Sequence, residues 1–165
     1  MARKAFYSFH YQPDNWRAAN VRSIGALEGN QPARDNDWET VTKGGDAAIK
    51  KWIADQMYGR SCTVVLVGTN TANRKWINHE IIRSWDGNMG VVGIRIHGLK
   101  DSNQNTSSPG GNPFDYITHG PTKKKLSSIV KCYTPAGSTS QEKYDWIKKH
   151  LANAVAEAIQ IRKDN

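Results

Sequence analysis

Cysteine is scarce in this chain: Cys62 and Cys132 are the two thiols among 165 residues. They stand too far apart for a metal-ligand or redox spacing, so a disulfide scaffold is excluded and both read as core thiols. Long apolar runs are missing as well. None approaches a membrane span, and the N-terminus lacks the apolar core of a signal peptide, so a cytoplasmic protein away from membranes is expected. Without secretion, the glycosylation pattern Asn105-Thr106-Ser107 is idle. Acidic residues are outnumbered, 15 against 23 Lys and Arg, and the net charge of +8 favours anionic partners. The one concentrated basic run, Lys123-Lys124-Lys125, is shorter than a typical nucleic-acid patch and reads as a solvated loop, so nucleic acid is not an expected partner.

Several signatures of common chemistry are absent too. There is no G-x-x-x-x-G-K-[ST] loop, no G-x-G-x-x-G after the first strand and no G-x-S-x-G, which weighs against P-loop nucleotidases, Rossmann dinucleotide enzymes and α/β-hydrolases. His79-Glu80 is not part of H-E-x-x-H and the five histidines are scattered, so no metal site is expected.

What is present is a strong local pattern between residues 62 and 85. Cys62-Thr63-Val64-Val65-Leu66-Val67-Gly68 is β-branched and uncharged, as a strand buried on both faces requires. A polar loop follows over 69–74. The segment 75–85 then has helical periodicity, with Ile77, Ile81 and Trp85 on one stripe and Gly87 as the stop. Glu80 lies off that stripe and is predicted where buried meets exposed. Spacing alone makes it a solvated helix residue, as most glutamates are. Its place matters because ligands of open α/β sheets bind beyond the carboxyl ends of the strands, where the start of this helix would lie.

The remaining segments complete the pattern. A short aromatic strand at 5–9 precedes a helix capped by Asp14, with Trp16, Val21, Ile24 and Leu27 available to the sheet. Residues 29–45 read as a long loop whose large apolar residue is Trp38. A helix from Asp46 to Tyr58 carries Ile49, Trp52, Ile53 and Met57 and ends at Gly59. A strand at 90–96, a long irregular stretch over 97–122, a final strand from Leu126 to Tyr133 and a C-terminal helix capped by Thr139 or Ser140 follow. This alternation predicts one domain over 1–165, an α/β three-layer sandwich with a mainly parallel central sheet and flavodoxin-like topology.

Taken together, Lys4-Ala5-Phe6-Tyr7-Ser8-Phe9-His10-Tyr11, the helix start Asp46-Ala47-Ala48-Ile49-Lys50, the Val-rich strand, Trp76-Ile77-x-x-Glu80-Ile81, and Asn112-Pro113-Phe114-Asp115 after His97-Gly98-Leu99-Lys100-Asp101 resemble the TIR-like proteins of bacterial Thoeris antiphage defence. The resemblance runs over nearly the whole chain. It implies a TIR-like fold and an NAD-consuming enzyme with NAD as substrate and no cofactor. Some relatives of this kind cyclise the ADP-ribose portion into a signal that activates an effector protein.

Carried over by position, the catalytic glutamate falls on Glu80 and its preceding tryptophan on Trp76. Phe9 and His10 fall at the rim of the substrate pocket, Ser8 just beneath it, and Trp38 in a loop that covers the pocket or meets a neighbouring protomer. One carboxylate suffices in principle. The pyridine of NAD leaves as a neutral molecule, and the difficulty is the positive charge left on the ribose, which a carboxylate stabilises. Homo-oligomerisation and the choice between cyclisation and hydrolysis are left open. So is the alternative of a non-catalytic TIR-like adaptor acting through protein–protein contacts.

Overall fold

A parallel sheet centred on the apolar run at 62–67 organises the computed structural model, which describes residues 3–30 and 44–165. Along the chain come β1 (Arg3–Ser8), α1 (Tyr11–Arg22), β2 (Leu27–Gly29), α2 (Gly45–Met57), β3 (Cys62–Val67), α3 (Lys75–Asp86), β4 (Gly90–Arg95), β5 (Thr118–His119), β6 (Lys124–Lys125), β7 (Cys132–Tyr133) and α4 (Ser140–Asp164). The sheet order is β2-β1-β3-β4-β7 with every pair parallel, while β5 and β6 form a separate antiparallel hairpin. This is the flavodoxin-like order, in which the chain reverses its direction of travel across the sheet between β1 and β3.

The two-residue period of the strands sorts their side chains between layers. Ala5 and Tyr7 of β1, with Cys62, Val64 and Leu66 of β3, pack against Ala18 and Val21 of α1 and Ile147, Leu151 and Val155 of α4. On the opposite face Phe6 packs with Ile49, Ile53 and Met57 of α2. Val65 and Val67 meet Ile77, Ile81 and Trp85 of α3 on that same face. The long stretch after β4 contributes there too: Phe114, Ile117, Leu126 and Val130 join this cluster. Two short 3-10 turns, Pro113–Tyr116 and Leu126–Ser128, therefore take the place of a helix between β4 and β7.

Several boundaries differ from the sequence reading. Asp14 does not cap α1, which starts at Tyr11 and places Pro13 in its first turn, where the missing proline N–H costs nothing. Asp14 is instead buried inside the helix and Trp16 is half exposed. Asp46 is likewise inside the first turn of α2, after Gly44, with its carboxylate 2.6 Å from Lys75 Nζ. The final strand is shorter than expected, with Cys132 and Tyr133 alone pairing with β4. β2 was not foreseen at all. Cys62 is fully buried, whereas Cys132 is partly so, and both are free.

α4 follows its periodic signal, and Thr139 is its cap, accepting a hydrogen bond on Oγ1 from the Glu142 N–H at 3.1 Å. Thr139→Ala is expected to cost about 1 kcal/mol. For a chain of this size that lowers the melting temperature by roughly 2–4 °C, readable by calorimetry. Among the described residues no helix is long and apolar enough to cross a membrane.

Candidate active site

β1 and β3 end side by side at the point where the strand order reverses, and their following loops open a cleft of about 860 Å³. Phe9, His10, Tyr11 and Gln12 line it from the first loop and the start of α1. Asn73, Arg74, Lys75, Trp76, Ile77 and Glu80 line it from the second loop and α3. The volume lies in the range of small-molecule and cofactor sites.

Glu80 is more deeply placed than its spacing suggests, at 5% exposure. The reason lies in the sheet. Ser8 and Thr63 are polar positions on the strand faces that α3 covers, both 1% exposed or less. Ser84, one turn after Glu80, is fully buried; its hydroxyl donates to the Glu80 carbonyl at 2.7 Å and lies 2.5 Å from Thr63 Oγ1. Small hydroxyl residues at this seam leave room for the side of α3 that carries Glu80 and Ser84 to turn inward. An apolar stripe alone would have kept that side half in water.

Burial has an electrostatic consequence. It pushes the Glu80 carboxyl from 4.5 up to about 8, with the neighbouring Ser8 hydroxyl opposing the rise. Even so, Ser8 Oγ and Glu80 Oε2 are both buried without a hydrogen bond of normal geometry. The two lie within electrostatic range of each other but do not satisfy each other. A buried carboxyl oxygen without a partner is costly, and such groups mark places where something else binds. Among the residues of the opposite rim, His10 is held below its ordinary range, first by burial and then by the nearby Arg74 cation, and its Nδ1 is also without a partner.

The walls are aromatic. Phe9 stacks with Tyr11 at 6.1 Å between ring centres. Trp76 serves two purposes: it packs against the Phe6, Ile53 and Met57 cluster and also faces the cleft. Its ring meets the His79 ring edge-on at 5.5 Å, and Lys75 Nζ lies 4.9 Å from its centre. Such a wall can stack on a planar heterocycle while the buried carboxyl faces a group that gains positive charge.

Of the residues selected from sequence, Phe9, His10, Trp76 and Glu80 thus share one cleft, whereas Ser8 is buried next to Glu80 and does not line it. Phe6 is core, at 1% exposure. Trp38 lies outside the described residues. Tyr11, Gln12, Asn73, Arg74, Lys75 and Ile77 were not selected, although the polar loop at 69–74 was visible as a loop. Among the described residues no three His, Cys, Asp or Glu side chains gather as a metal site.

A second set of contacts holds both rim loops in place. Arg17 of α1 is 4% exposed; its Nε donates to the Leu99 carbonyl at 2.7 Å, its Nη2 to the Asn105 carbonyl at 2.9 Å, and its Nη1 to Asp14 Oδ1 at 3.0 Å. The Thr69 hydroxyl donates to the Ser108 carbonyl, and Arg95 Nη1 to the Gly110 carbonyl. The stretch after β4 therefore braces the starts of α1 and of the loop before α3. Gly68 belongs to this brace because a Cβ there would overlap the Asp14 carboxylate.

Comparison with known proteins bears on the family of the chain. Residues 6–101 match the family described as Thoeris protein ThsB, TIR-like domain. A curated relative from Bacillus cereus (strain MSX-D12), named "putative cyclic ADP-D-ribose synthase ThsB1", is 38% identical over 122 residues, covering 71% of this chain and 64% of the relative. The chain thus spans less than two thirds of that relative's length. The family match runs from β1 to just past β4 and includes Ser8, Phe9, His10, Trp76 and Glu80. With its parallel five-stranded sheet and covering helices, this chain belongs to the TIR-like domain family of Thoeris protein ThsB.

Proposed function

We propose that this chain is an NAD-processing enzyme of antiphage defence that breaks the nicotinamide–ribose bond and closes the ADP-ribose portion into a cyclic ADP-ribose-type signal for a separate effector protein. The observation that carries this reading is the Glu80 carboxyl, buried and short of a partner, facing an aromatic-walled cleft at the switch point of the sheet. Family membership and the printed name of the Bacillus cereus relative support it.

In this reading Trp76 or Phe9 stacks on the nicotinamide ring, and His10 borders the same pocket. The C1′–N bond breaks with its electron pair going to nicotinamide, which departs neutral. Positive charge grows on C1′ and the ring oxygen of the ribose. Glu80 ionises as the cationic substrate binds, hydrogen-bonds the ribose hydroxyls and stabilises that charge. A nucleophile of the same ADP-ribose, an adenine nitrogen or a ribose hydroxyl, then forms the new bond to C1′ in place of water, and the proton it sheds passes to the Glu80 carboxylate. NAD is the substrate and no resident cofactor enters the scheme.

The test is chromatography and mass analysis of NAD products, with the purified protein and with phage-challenged cells that express it. A product lighter than ADP-ribose by one water supports cyclisation, and linear ADP-ribose shows hydrolysis instead. NAD left intact in both settings would remove the enzymatic reading.

A further inference from the structure

Glu80 and the aromatic walls have a task in this chemistry, and the start of α3, which also lines the cleft, has none. Arg74 stands there, exposed, at the N-cap of α3. Among the described residues its guanidinium has no hydrogen-bond or ion-pair partner, unlike Arg17 and Arg95, whose donors are spent on backbone carbonyls. Arg74 has no side-chain oxygen to cap the helix, and the first turn of α3 carries no acidic residue. The leading amides of this 12-residue helix, whose first residues line the cleft, therefore have neither a side-chain cap nor a first-turn carboxylate to offset their partial positive charge.

We propose that Arg74 and the first-turn amides of α3 form an anion subsite that takes the pyrophosphate of a dinucleotide, an inference that rests on the NAD reading of the same cleft. Glu80 supplies a second observation, beside the uncapped helix start, that the cleft is built for a ligand. Its Oε2 is buried and unpartnered on the same helix and lines the same space. The spacing is also suitable. Six residues separate Arg74 from Glu80, about 9 Å along the helix axis. A ribose held at Glu80 extends its 5′-phosphate toward the helix start over that kind of span.

Lys75 is the weaker candidate of the two adjacent cations, because its Nζ is held 2.6 Å from Asp46 Oδ2. Arg74 also offers a planar fork of donors that fits two phosphate oxygens at once. The turn that presents it is set locally: Asn73 adopts a left-handed φ of 62°, and Asn78 Nδ2 donates to its side-chain oxygen at 3.2 Å.

The test measures binding directly, by titration calorimetry of the full chain with ADP-ribose, and steady-state kinetics with NAD. Arg74→Gln is expected to weaken ADP-ribose roughly ten- to a hundredfold and to raise KM for NAD far more than it lowers kcat. Arg74→Lys should restore part of the loss, and inorganic pyrophosphate should compete with ADP-ribose in the unaltered protein but not in Arg74→Gln. Because Arg74 is exposed, the variant should melt as the parent does. Unchanged ADP-ribose affinity in Arg74→Gln, or no ADP-ribose binding by the parent protein, would overturn the subsite. Arg74-dependent binding without NAD turnover would sustain the subsite and count against the chemistry instead. Turnover with unchanged KM in Arg74→Gln would do the reverse.

Discussion

Glu80→Gln is expected to lower NAD turnover by about a hundredfold to a thousandfold, the usual cost of removing a well-placed electrostatic stabiliser, and at the same time to make the protein harder to unfold. The second effect follows from burial. The folded chain holds the Glu80 proton up to about pH 8, whereas an unperturbed carboxyl releases it near 4.5. The stability tied to this proton is fully present below the lower value and is lost as pH rises through the upper one. Glutamine has no proton to release. The variant's advantage should therefore be absent in acid and reach roughly 3 kcal/mol as an upper bound at pH 7. Denaturant titrations across that range read it directly. A variant no more stable at neutral pH than in acid, relative to the parent, would show that the carboxyl is not held protonated by its surroundings. Activity should depend on pH in the complementary sense, with kcat/KM rising toward pH 8 as the free protein's Glu80 ionises.

Arg17→Met should be among the most damaging substitutions in the chain. It removes the bonds to Leu99, Asn105 and Asp14 together and leaves Asp14, 2% exposed, without its cation. Breaking a buried pair from one side typically costs about 3–5 kcal/mol. Asp14 already has its pKa raised by burial, with Arg17 opposing the rise, so the loss of Arg17 raises it further. The damage should then be least in acid, where Asp14 is protonated and neutral, and should grow as pH rises. Adding Asp14→Asn to Arg17→Met should recover part of the loss, since no charge is left stranded. If the double variant is no better than the single one, the cost lies in the lost loop contacts and not in the buried carboxylate.

Much of the fold was legible because it is written in local periodicity. The run at 62–67 and the stripe Ile77, Ile81, Trp85 form β3 and α3 as expected, and the spacing of Ile147, Leu151 and Val155 forms the buried face of α4. β2 was illegible, since Leu27-Glu28-Gly29 has no pattern of its own and is a strand because Arg3, Lys4 and Ala5 pair with it. The stretch 126–133 misled in the opposite way. Its apolar residues Leu126 and Val130 are buried from turns packed beneath α3, so hydrophobicity there signals a filled layer and not a strand.

The candidate site divides along the same line. Glu80 and Trp76 were noted from helical spacing and Phe9 and His10 came through the family resemblance, while Arg74 carried no signal beyond a polar loop. By itself the sequence determined the main strands β1, β3 and β4, the helices around them and the apolar faces of α3 and α4, because those properties depend on neighbours two to four positions away. Only the tertiary structure decided that Glu80 would be buried against Ser8 with an oxygen left unpaired, and that Arg74 would line one cleft with Phe9 and His10. Those placements depend on β1 and β3 lying side by side in the sheet, a contact between segments far apart in the chain, and no local period encodes it.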